Sequence, residues 1–373
     1  MTNKTKRGLS AFLLILCCGI ALLLTLAPGE TEKKAASVDY DPAEVWDAEM
    51  SDRFSQILLD QAAVKKKEYK IPDSAVSAPL PDESCYGEAQ SAAELQWLAD
   101  KAADILEGQS LYFSTDIEIF PDSTIHYYLD ETLLVITWKQ VISHTVFTFS
   151  EVKLMHPSQF RRYLTGGEFA SGTLSKPTEM AQTVNAVVAC SADFYAYRRK
   201  GLTVTDGTVN RYNPGIPDTC YVDAEGNLIL ERDQDFADAA EVQAYVDANN
   251  IRFSLSFGPN LVKDGEYVCP KNYPLGEVKK RYPRAAICQM DRLHYLFAAA
   301  NMDLHYYNPL TMEEFSQCIY DLGCKQAYAL DGGQSATVVM HDQLMNKVNY
   351  GSERLMSDII YFATAKPSGS VNP

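Results

Sequence analysis

An acidic residue, two glycines and a serine stand together in the stretch YALDGGQSATVVM, residues 328–340. The carboxylate of Asp331 could act as a base or a nucleophile, and Gly332 and Gly333 would let backbone amides come close to an anion. Asp-Gly is also a common signal for a β-hairpin turn. The motif therefore predicts either the floor of an active site at the end of a buried strand or a tight turn between two strands.

Three other segments place charged side chains beside apolar strands. VVACSADFY ends its apolar run at Asp193, YPRAAICQMDRLHYLFAAA carries Arg284 just before a buried strand pair, and GSERLMSDIIYF contains Arg354. The planar guanidinium of arginine forms paired hydrogen bonds with phosphate oxygens, so these residues suit an anionic ligand. Structural interpretations stay open as well, because Asp193 could cap a turn and Arg354 could be a solvated or ion-paired surface residue.

The sequence gives less support to a serine nucleophile or a metal site. Ser335 is a weak candidate for an acyl-transfer nucleophile, because GGQSA lacks the Gly-x-Ser-x-Gly pattern and the sequence places no histidine convincingly beside it. The histidines form no HExxH motif and the cysteines no CxxC motif, so no zinc site and no cofactor are predicted. A divalent ion held by Asp331 and a neighbouring carboxylate stays open, since oxygen ligands leave little trace in residue spacing.

The elements that must position these residues predict an α+β domain, with a mixed, largely antiparallel sheet and packed helices. Residues 133–155 are rich in β-branched and aromatic residues. Glycine turns at Asp206-Gly207, Glu225-Gly226-Asn227 and Asp264-Gly265 separate alternating apolar runs. These patterns predict antiparallel hairpins.

Helices are predicted between these strands. One lies near residues 235–250, and another starts at Thr311, which has capping-box spacing to Glu314. Gly323 is a typical stop for the second helix. It precedes the short buried strand that leads to Asp331, so helix and strand together would position the acidic residue.

The first residues predict a membrane anchor. Residues 9–27 contain no charge and are long enough to cross a bilayer as a helix, and the cations of residues 1–8 should stay in the cytosol. A cleaved signal peptide is the competing interpretation. The bulk of the chain is then expected outside the cell, at the cell membrane or in the cell envelope. Disulfides are permitted there, although seven of the nine cysteines lie beyond the anchor and an odd number leaves one thiol unpaired.

Between the anchor and the strands, residues 28–110 are expected to form a stalk or linker with a helix near 89–107. That helix has an apolar face at three- and four-residue steps. The predicted catalytic domain spans 111–366 and is followed by a tail, 367–373. The formal charge of −16 argues against nucleic acid as a partner, so an anionic substrate would need local arginines. Oligomeric state cannot be predicted from this pattern.

Taken together, these motifs resemble the phosphodiester glycosidase family over residues 145–365. The family has a Gly-Pro-x-Leu hairpin, a Pro-Arg-x-Ala strand start, a Leu-Asp-Gly-Gly-x-Ser turn and a late arginine. The corresponding residues here are Gly258-Pro259-Asn260-Leu261 with Gly265, Pro283-Arg284-Ala285-Ala286, Leu330 to Ser335, and Arg354.

The sequence departs from the family pattern in two places. Ser191-Ala192 replaces an Asn-Gly pair, and Asn301-Met302-Asp303 stands where Asp-Gly-Arg is frequent. The resemblance implies hydrolysis of a sugar 1-phosphodiester bond in extracellular or envelope glycans. A non-catalytic carbohydrate-binding or exopolysaccharide-assembly module is the alternative, and an unrelated surface hydrolase stays open.

Hydrolysis of a sugar 1-phosphodiester implies roles for the candidate residues. A phosphate monoester is a good leaving group, so one carboxylate can suffice, and a pocket of cations and amides must bind the phosphate. Asp331 is the leading catalytic residue and Asp193 the second catalytic carboxylate. The expected phosphate-binding residues are Arg284, Arg354, Gly332, Gly333 and Ser335.

Overall fold

A computed structural model describes Gln56 and residues 69–274, 276–301 and 309–366. Among these residues the strands, in chain order, are β1 Tyr86–Ala89, β2 Ile125–Leu129, β3 Leu133–Ile142, β4 Thr145–Leu154, β5 Phe160–Leu164, β6 Val188–Ser191, β7 Gly201–Thr205, β8 Thr208–Asn213, β9 Asp218–Asp223, β10 Leu228–Arg232, β11 Ile251–Leu255, β12 Asn260–Lys263, β13 Glu266–Tyr267, β14 Arg284–Asp291, β15 His294–Asn301, β16 Gln326–Leu330, β17 Val338–Met340, β18 Gln343–Leu344 and β19 Asp358–Phe362. The α-helices are α1 Gln96–Lys101, α2 Ala103–Leu106, α3 Pro177–Thr183, α4 Ala239–Ala248 and α5 Met312–Tyr320.

A nine-stranded sheet forms the centre of the domain, in the order β1-β2-β3-β4-β15-β14-β16-β12-β13. A five-stranded sheet has the order β18-β17-β6-β19-β5, and β10-β9-β11 and β7-β8 form two smaller sheets. The strand pairs in all four sheets are antiparallel. The α+β class with largely antiparallel sheets is therefore confirmed, whereas the predicted mixed sheet is wrong for the described residues, whose paired strands are all antiparallel.

Both faces of the nine-stranded sheet are covered, which explains the long apolar runs of β3 and β4. One face packs against α1, α2 and α5, where Trp138 and Phe147 meet Leu98 and Phe315. The opposite face packs against the five-stranded and three-stranded sheets in a second apolar cluster. A strand with one exposed face would instead alternate between apolar and polar residues.

The predicted hairpins and the predicted helix before Asp331 are confirmed. The three glycine turns join β7 to β8, β9 to β10, and β12 to β13. At the start of α5, Thr311 Oγ1 accepts a hydrogen bond from the Glu314 amide at 3.2 Å, and Glu314 Oε2 accepts one from the Thr311 amide at 2.9 Å. Gly323 follows the helix in the left-handed region at φ +75°.

The hairpin interpretation of Asp331-Gly332-Gly333 is wrong. The strand before it, β16, belongs to the nine-stranded sheet, whereas the strand after it, β17, belongs to the five-stranded sheet. The chain therefore crosses from one sheet to the other at Asp331. A polar side chain at such a crossing lies between two packed layers rather than at a solvent-exposed turn.

Part of the segment predicted as a stalk is packed into the domain. The strand β1 pairs with β2, and the predicted apolar face around Leu95 and Leu98 is buried against the nine-stranded sheet. The helix is interrupted, with a 3-10 turn at Ala92–Leu95 before α1 and a break at Ala102. The domain boundary at 110 stays a prediction. The predicted anchor, 9–27, lies outside the described residues, and within them no helix is long and apolar enough to span a membrane.

Candidate functional site

Asp331 follows β16 directly and is 7% exposed. Its main chain is held by the end of β6, because the Asp331 amide donates to the Ala192 carbonyl at 3.1 Å and the Ser191 hydroxyl donates to the Asp331 carbonyl at 2.9 Å. Ser191-Ala192 is the pair that departs from the family pattern. In this chain the pair fixes the backbone of the leading catalytic candidate.

The carboxyl of Asp331 is placed where its charge is disfavoured. Burial raises the pKa of Asp331 from 3.8 to about 7, and the nearby carboxylate of Asp358 also raises it. The Ser335 hydroxyl and the guanidinium groups of Arg354 and Arg198 lower the same pKa, with a smaller total effect. Near neutral pH the group therefore exchanges readily between its acid and base forms, as a general base requires.

Two polar groups near this carboxyl are buried with their hydrogen-bonding capacity not fully used. The Ser335 Oγ and the Arg198 Nη1 make no hydrogen bond of normal geometry with the described residues. Ser335 itself is fully buried, in the 3-10 turn Gly333–Ser335 that follows Asp331. Buried polar atoms are nearly always hydrogen-bonded in folded proteins. A buried guanidinium nitrogen without a partner and a buried serine hydroxyl, both close enough to a buried carboxyl to lower its pKa, are an arrangement that suits a ligand site.

Aromatic rings seat the two guanidinium groups of the site. Arg354 lies over Phe194 at 4.9 Å and over Tyr197 at 4.7 Å, measured from the guanidinium carbon to the ring centroid. Arg198 lies over Phe257 at 4.3 Å and over Phe194 at 5.3 Å. Contacts with ring faces hold a guanidinium in place while leaving its N–H edge available. Both arginines are thus positioned to donate to an anion.

Asp193, the second predicted catalytic residue, is buried and already has donors. Its Oδ1 accepts from the Phe194 amide at 2.6 Å, and its Oδ2 accepts from the Ser256 amide at 2.9 Å. The same Oδ2 lies 3.6 Å from Arg162 Nη2. Asp193 therefore joins the site, but its carboxylate is engaged by the protein rather than directed to a ligand.

A buried ion pair between Arg162 and Asp358 lies next to Asp193. Arg162, on β5, donates from Nη2 and Nε to Asp358 Oδ2 at 2.6 and 2.9 Å, and both side chains are at most 1% exposed. Burial and the proximity of Asp193 raise the pKa of Asp358 to about 6, against the opposing effect of Arg162. The amide of Asp193 in turn donates to Asp358 Oδ2 at 3.3 Å. The pair thus joins β5, β19 and the end of β6 beneath the site.

Arg284 is placed differently from the prediction. Its guanidinium donates to the main-chain carbonyls of Leu310 and Lys280, and it lies over the ring of Tyr282. These bonds fix the backbone at the start of β14. That backbone packs against the glycine turn, because the Gly333 amide donates to the Pro283 carbonyl at 2.8 Å and a Cβ on Gly332 would lie 2.6 Å from the same oxygen. Arg284 therefore shapes the turn through its main chain.

Sequence reasoning missed three site residues. Arg162 and Asp358 carried a weak signal, since each is a charge within an apolar strand and such charges are seldom buried without a partner. Arg198 carried none, because its neighbours Arg199 and Lys200 make the stretch resemble a solvated basic loop. Gly332, Gly333 and Ser335 follow Asp331 in the chain, and their predicted role in binding an anion stays a prediction.

No group of three or more His, Cys, Asp or Glu side chains in the described part of the chain is arranged to hold a metal ion. The seven cysteines predicted to lie outside the membrane are free thiols, and five of them are buried, as expected for small apolar residues. The buried ones are Cys190, Cys220, Cys288, Cys318 and Cys324.

Comparison with known proteins defines the class of this domain. Residues 184–363 match the model of the family named phosphodiester glycosidase. This region contains Asp193, Arg284, Asp331 and Arg354. Over these residues, a little under half of the chain, the sequence matches the phosphodiester glycosidase family.

A solved structure supports the fold. The catalytic domain of zebrafish N-acetylglucosamine-1-phosphodiester alpha-N-acetylglucosaminidase, auto-inhibited by its pro-peptide, superimposes with a TM-score of 0.50 at 16% identity, covering 69% of this chain and 92% of that domain. A hypothetical protein from Synechocystis has a TM-score of 0.45 at 14% identity, with 62% of each chain covered. No curated protein sequence matches this chain. At such identities the first similarity shows a shared fold.

Proposed function

We propose that this chain hydrolyses a sugar 1-phosphodiester by breaking the bond between the anomeric carbon and the phosphate oxygen. One observation carries the proposal: a buried carboxyl, Asp331, whose pKa is raised by burial and lowered in part by the Ser335 hydroxyl and the Arg198 guanidinium, lies near an Arg198 nitrogen that is buried without a partner, within the region that matches the family. A ligand with a reacting carbon and an attached anion would satisfy all three groups.

The carboxylate form of Asp331 supplies the base. It takes a proton from the attacking water, whose oxygen forms the new bond to the anomeric carbon. The bonding electrons leave with the phosphate oxygen, which gives a free sugar and a phosphate monoester. This leaving group is stable without prior protonation, so a second carboxylic acid is not needed. The charge of Asp331 also stabilises the oxocarbenium-like transition state.

The phosphate lies between Arg198 and Arg354 in this proposal. Their guanidinium edges are available for charge-assisted hydrogen bonds, and the Ser335 hydroxyl provides another donor. In this proposal Arg198 has the phosphate-binding role that was predicted for Arg284. The guanidinium of Arg284 is engaged by main-chain carbonyls. The substrate phosphate would thus be bound by arginines from the loop after β6 and from the segment before β19.

Asp193 is proposed as a positioning residue rather than as a second catalytic carboxylate. Its oxygens accept from the amides of Phe194 and Ser256 and lie next to Arg162. These bonds hold the start of the loop that carries Phe194 and Arg198. Because Phe194 seats both Arg198 and Arg354, an error in the position of Asp193 would reach the phosphate site.

The substrate is proposed to be an extracellular or cell-envelope glycan. The support is the apolar run 9–27 with its preceding cations, which would anchor the chain and leave the domain outside the cell. Localisation of the full chain by protease protection of intact cells would check this part independently.

The activity is tested with the full chain and a synthetic N-acetylglucosamine 1-phosphodiester. Wild type should release free sugar. Asp331→Asn should reduce kcat by about 10³-fold without lowering the thermal unfolding midpoint. Asp342→Asn is the matched control, because Asp342 is an exposed acid outside the site whose pKa is also raised, chiefly by desolvation. It should retain activity.

The other outcomes separate the alternatives. Binding of sugar phosphates without cleavage of any member of a broad panel would favour a non-catalytic carbohydrate-binding or exopolysaccharide-assembly module. If the protein neither binds nor cleaves any of these compounds, the proposed function is refuted.

A further inference from the structure

The loop between β6 and β7, residues 192–200, carries Arg198 and is held by a neighbouring strand. Within the loop, the amides of Tyr197 and Arg198 donate to the Phe194 carbonyl at 3.1 and 3.0 Å, which closes a short turn. Other carbonyls of the loop accept from side chains of β8. The position of Arg198 therefore depends on β8 as well as on the bonds of Asp193 at the start of the loop.

Arg211, on β8, supplies most of these bonds. Its Nη1 donates to the carbonyls of Tyr195 and Arg198 at 2.8 and 2.7 Å, and its Nη2 donates to the Lys200 carbonyl at 3.4 Å. Asn213, on the same strand, donates from Nδ2 to the next carbonyl after that of Arg198 at 2.8 Å. One guanidinium thus fixes the main chain before, at and after Arg198.

The guanidinium of Arg211 is packed between aromatic rings at some cost. Its carbon lies 5.9 Å from the ring centroids of both Phe169 and Tyr195. Burial lowers the pKa of Arg211, and the nearby carboxylate of Asp193 partly offsets this effect. The Arg211 Nε is buried and has no hydrogen-bond partner among the described residues. Since an unsatisfied buried donor lowers stability, stability alone does not explain an arginine at this position.

Arg198 is fixed at both ends by these contacts. Its main-chain carbonyl accepts from Arg211, while its guanidinium lies over the rings of Phe257 and Phe194. Its Nη1 is buried without a partner, and its guanidinium is the group proposed to bind the substrate phosphate. A side chain that is ordered before the ligand arrives loses little conformational entropy on binding, so fixing the loop favours phosphate binding.

We propose that Arg211 is a positioning residue for Arg198: through three main-chain carbonyls it sets the place from which Arg198 donates to the substrate phosphate. The inference rests on the proposed function and adds a residue that acts through another. The planar guanidinium of Arg211 reaches the three carbonyls with two separate nitrogens. A lysine would keep the charge, but its single nitrogen cannot occupy both positions.

A double-mutant cycle on the full chain tests this dependence. The substrate is the methyl phosphodiester of N-acetylglucosamine, and the variants are Arg211→Lys, Arg198→Ala and the two combined. Arg211→Lys should lower kcat/KM by about tenfold in the wild-type background and by less than about twofold in the Arg198→Ala background, because the arginine that it positions is already absent there. An equal loss in both backgrounds, or no loss in the first, would overturn the proposal.

Arg252→Lys is the matched control. Burial also lowers the pKa of Arg252, and its Nη1 donates to the main-chain carbonyls of Pro157 and Phe160 at 2.9 and 3.1 Å, outside the candidate site. This variant should lower the thermal unfolding midpoint, as Arg211→Lys does, and leave kcat/KM unchanged. An equal loss of kcat/KM in the two lysine variants would show that Arg211 contributes to stability alone, which contradicts the positioning role.

The second measurement needs no turnover. Calorimetry compares the binding of N-acetylglucosamine 1-phosphate to the wild type and to the same variants. Binding that is about tenfold weaker in Arg211→Lys and in Arg198→Ala, with no further loss in the double variant, supports the positioning role even if no phosphodiester is cleaved and the proposed reaction fails. Unchanged binding in Arg211→Lys contradicts it, while hydrolysis of the methyl substrate would still stand. If the wild type neither binds the sugar phosphate nor cleaves the methyl substrate, Arg198 has no phosphate to bind and both proposals are refuted.

Discussion

The hydroxyl of Ser191 holds the main chain of Asp331, donating to its carbonyl oxygen at 2.9 Å across the gap between the two large sheets. Ser191 is fully buried. Since the neighbouring Ala192 carbonyl accepts from the Asp331 amide, both main-chain polar groups of Asp331 depend on this short segment. The pair that departs from the family pattern therefore has a definite structural task here.

Removing this hydroxyl should affect catalysis more than stability. Ser191→Ala leaves the Asp331 carbonyl without its donor, which should cost about 1–3 kcal/mol of unfolding free energy and lower kcat because the carboxyl is less well positioned. Ser150→Ala is the control, since its buried hydroxyl pairs with Thr137 at 2.7 Å within the sheet. Urea unfolding should show similar losses for both variants, and initial rates should fall only for Ser191→Ala. Equal rates in the two variants would contradict a positioning role.

The activity should depend on the ionisation of Asp331. Its pKa is raised to about 7, so the base form grows as pH rises through neutrality. We expect kcat/KM to increase from pH 5 to pH 8 with an inflection near 7, measured with the methyl phosphodiester substrate. A general-acid role would give the reverse slope, with kcat/KM falling over this range.

Stability should depend on pH in the opposite direction. The folded-state pKa of Asp331 is about 7, whereas the value in the unfolded chain is close to 3.8. Between these two pKa values the folded protein binds the Asp331 proton more tightly than the unfolded chain does. The stability that this proton contributes is therefore fully present below pH 3.8 and is lost as pH rises through 7. Asp331→Asn should therefore raise the unfolding free energy at pH 8 by about 2–4 kcal/mol and have little effect near pH 4. Unfolding in urea at both pH values checks this, and a uniform change would contradict it.

Local patterns predicted much of the scaffold, and pairing between distant segments decided the rest. The glycine turns and the capping box of α5 depend on neighbouring residues, so the sequence indicated them directly. The position of Asp331 after a buried strand was also visible. Whether its turn closed a hairpin was not, because that depends on which sheet β17 joins.

For the charged residues of the site, too, local sequence patterns indicated one part and the pairing of distant segments decided the other. Arg162 and Asp358 become partners only when β5 pairs with β19, from positions 196 residues apart. Arg284 was noticed correctly as an unusual residue at a strand start, but the direction of its guanidinium depends on carbonyls of Lys280 and Leu310 that local patterns do not place.

Truncation should show that the first described residues are part of the fold. A fragment starting at residue 111 lacks β1 and the helical segment that buries Leu95, Leu98 and Leu106 against the nine-stranded sheet. Each large apolar side chain contributes about 1.5–3 kcal/mol on burial, so this fragment should be insoluble or unfolded. A fragment starting at residue 69 should fold, with circular dichroism and a thermal midpoint like those of the full chain. Folding of the shorter fragment would contradict the packing.

The buried pair between Arg162 and Asp358 should matter far more than an exposed pair of similar geometry. Arg162→Met leaves the carboxyls of Asp358 and Asp193 buried without their cation, which should cost about 3–5 kcal/mol of unfolding free energy. Arg281→Met removes a bidentate pair with Glu314 at 2.6 and 2.7 Å, but that pair is nearly half exposed, so about 0–1 kcal/mol is expected.

Arg162→Lys separates charge from geometry in this pair. A lysine keeps the positive charge but cannot reproduce the two donors that Arg162 directs to Asp358 Oδ2. We expect it to recover part of the stability lost in Arg162→Met and little of the activity, because Asp193 and the loop carrying Arg198 would still be displaced. Urea unfolding and kcat for the three variants test this. A lysine variant with wild-type kcat would show that the site needs only the charge of residue 162.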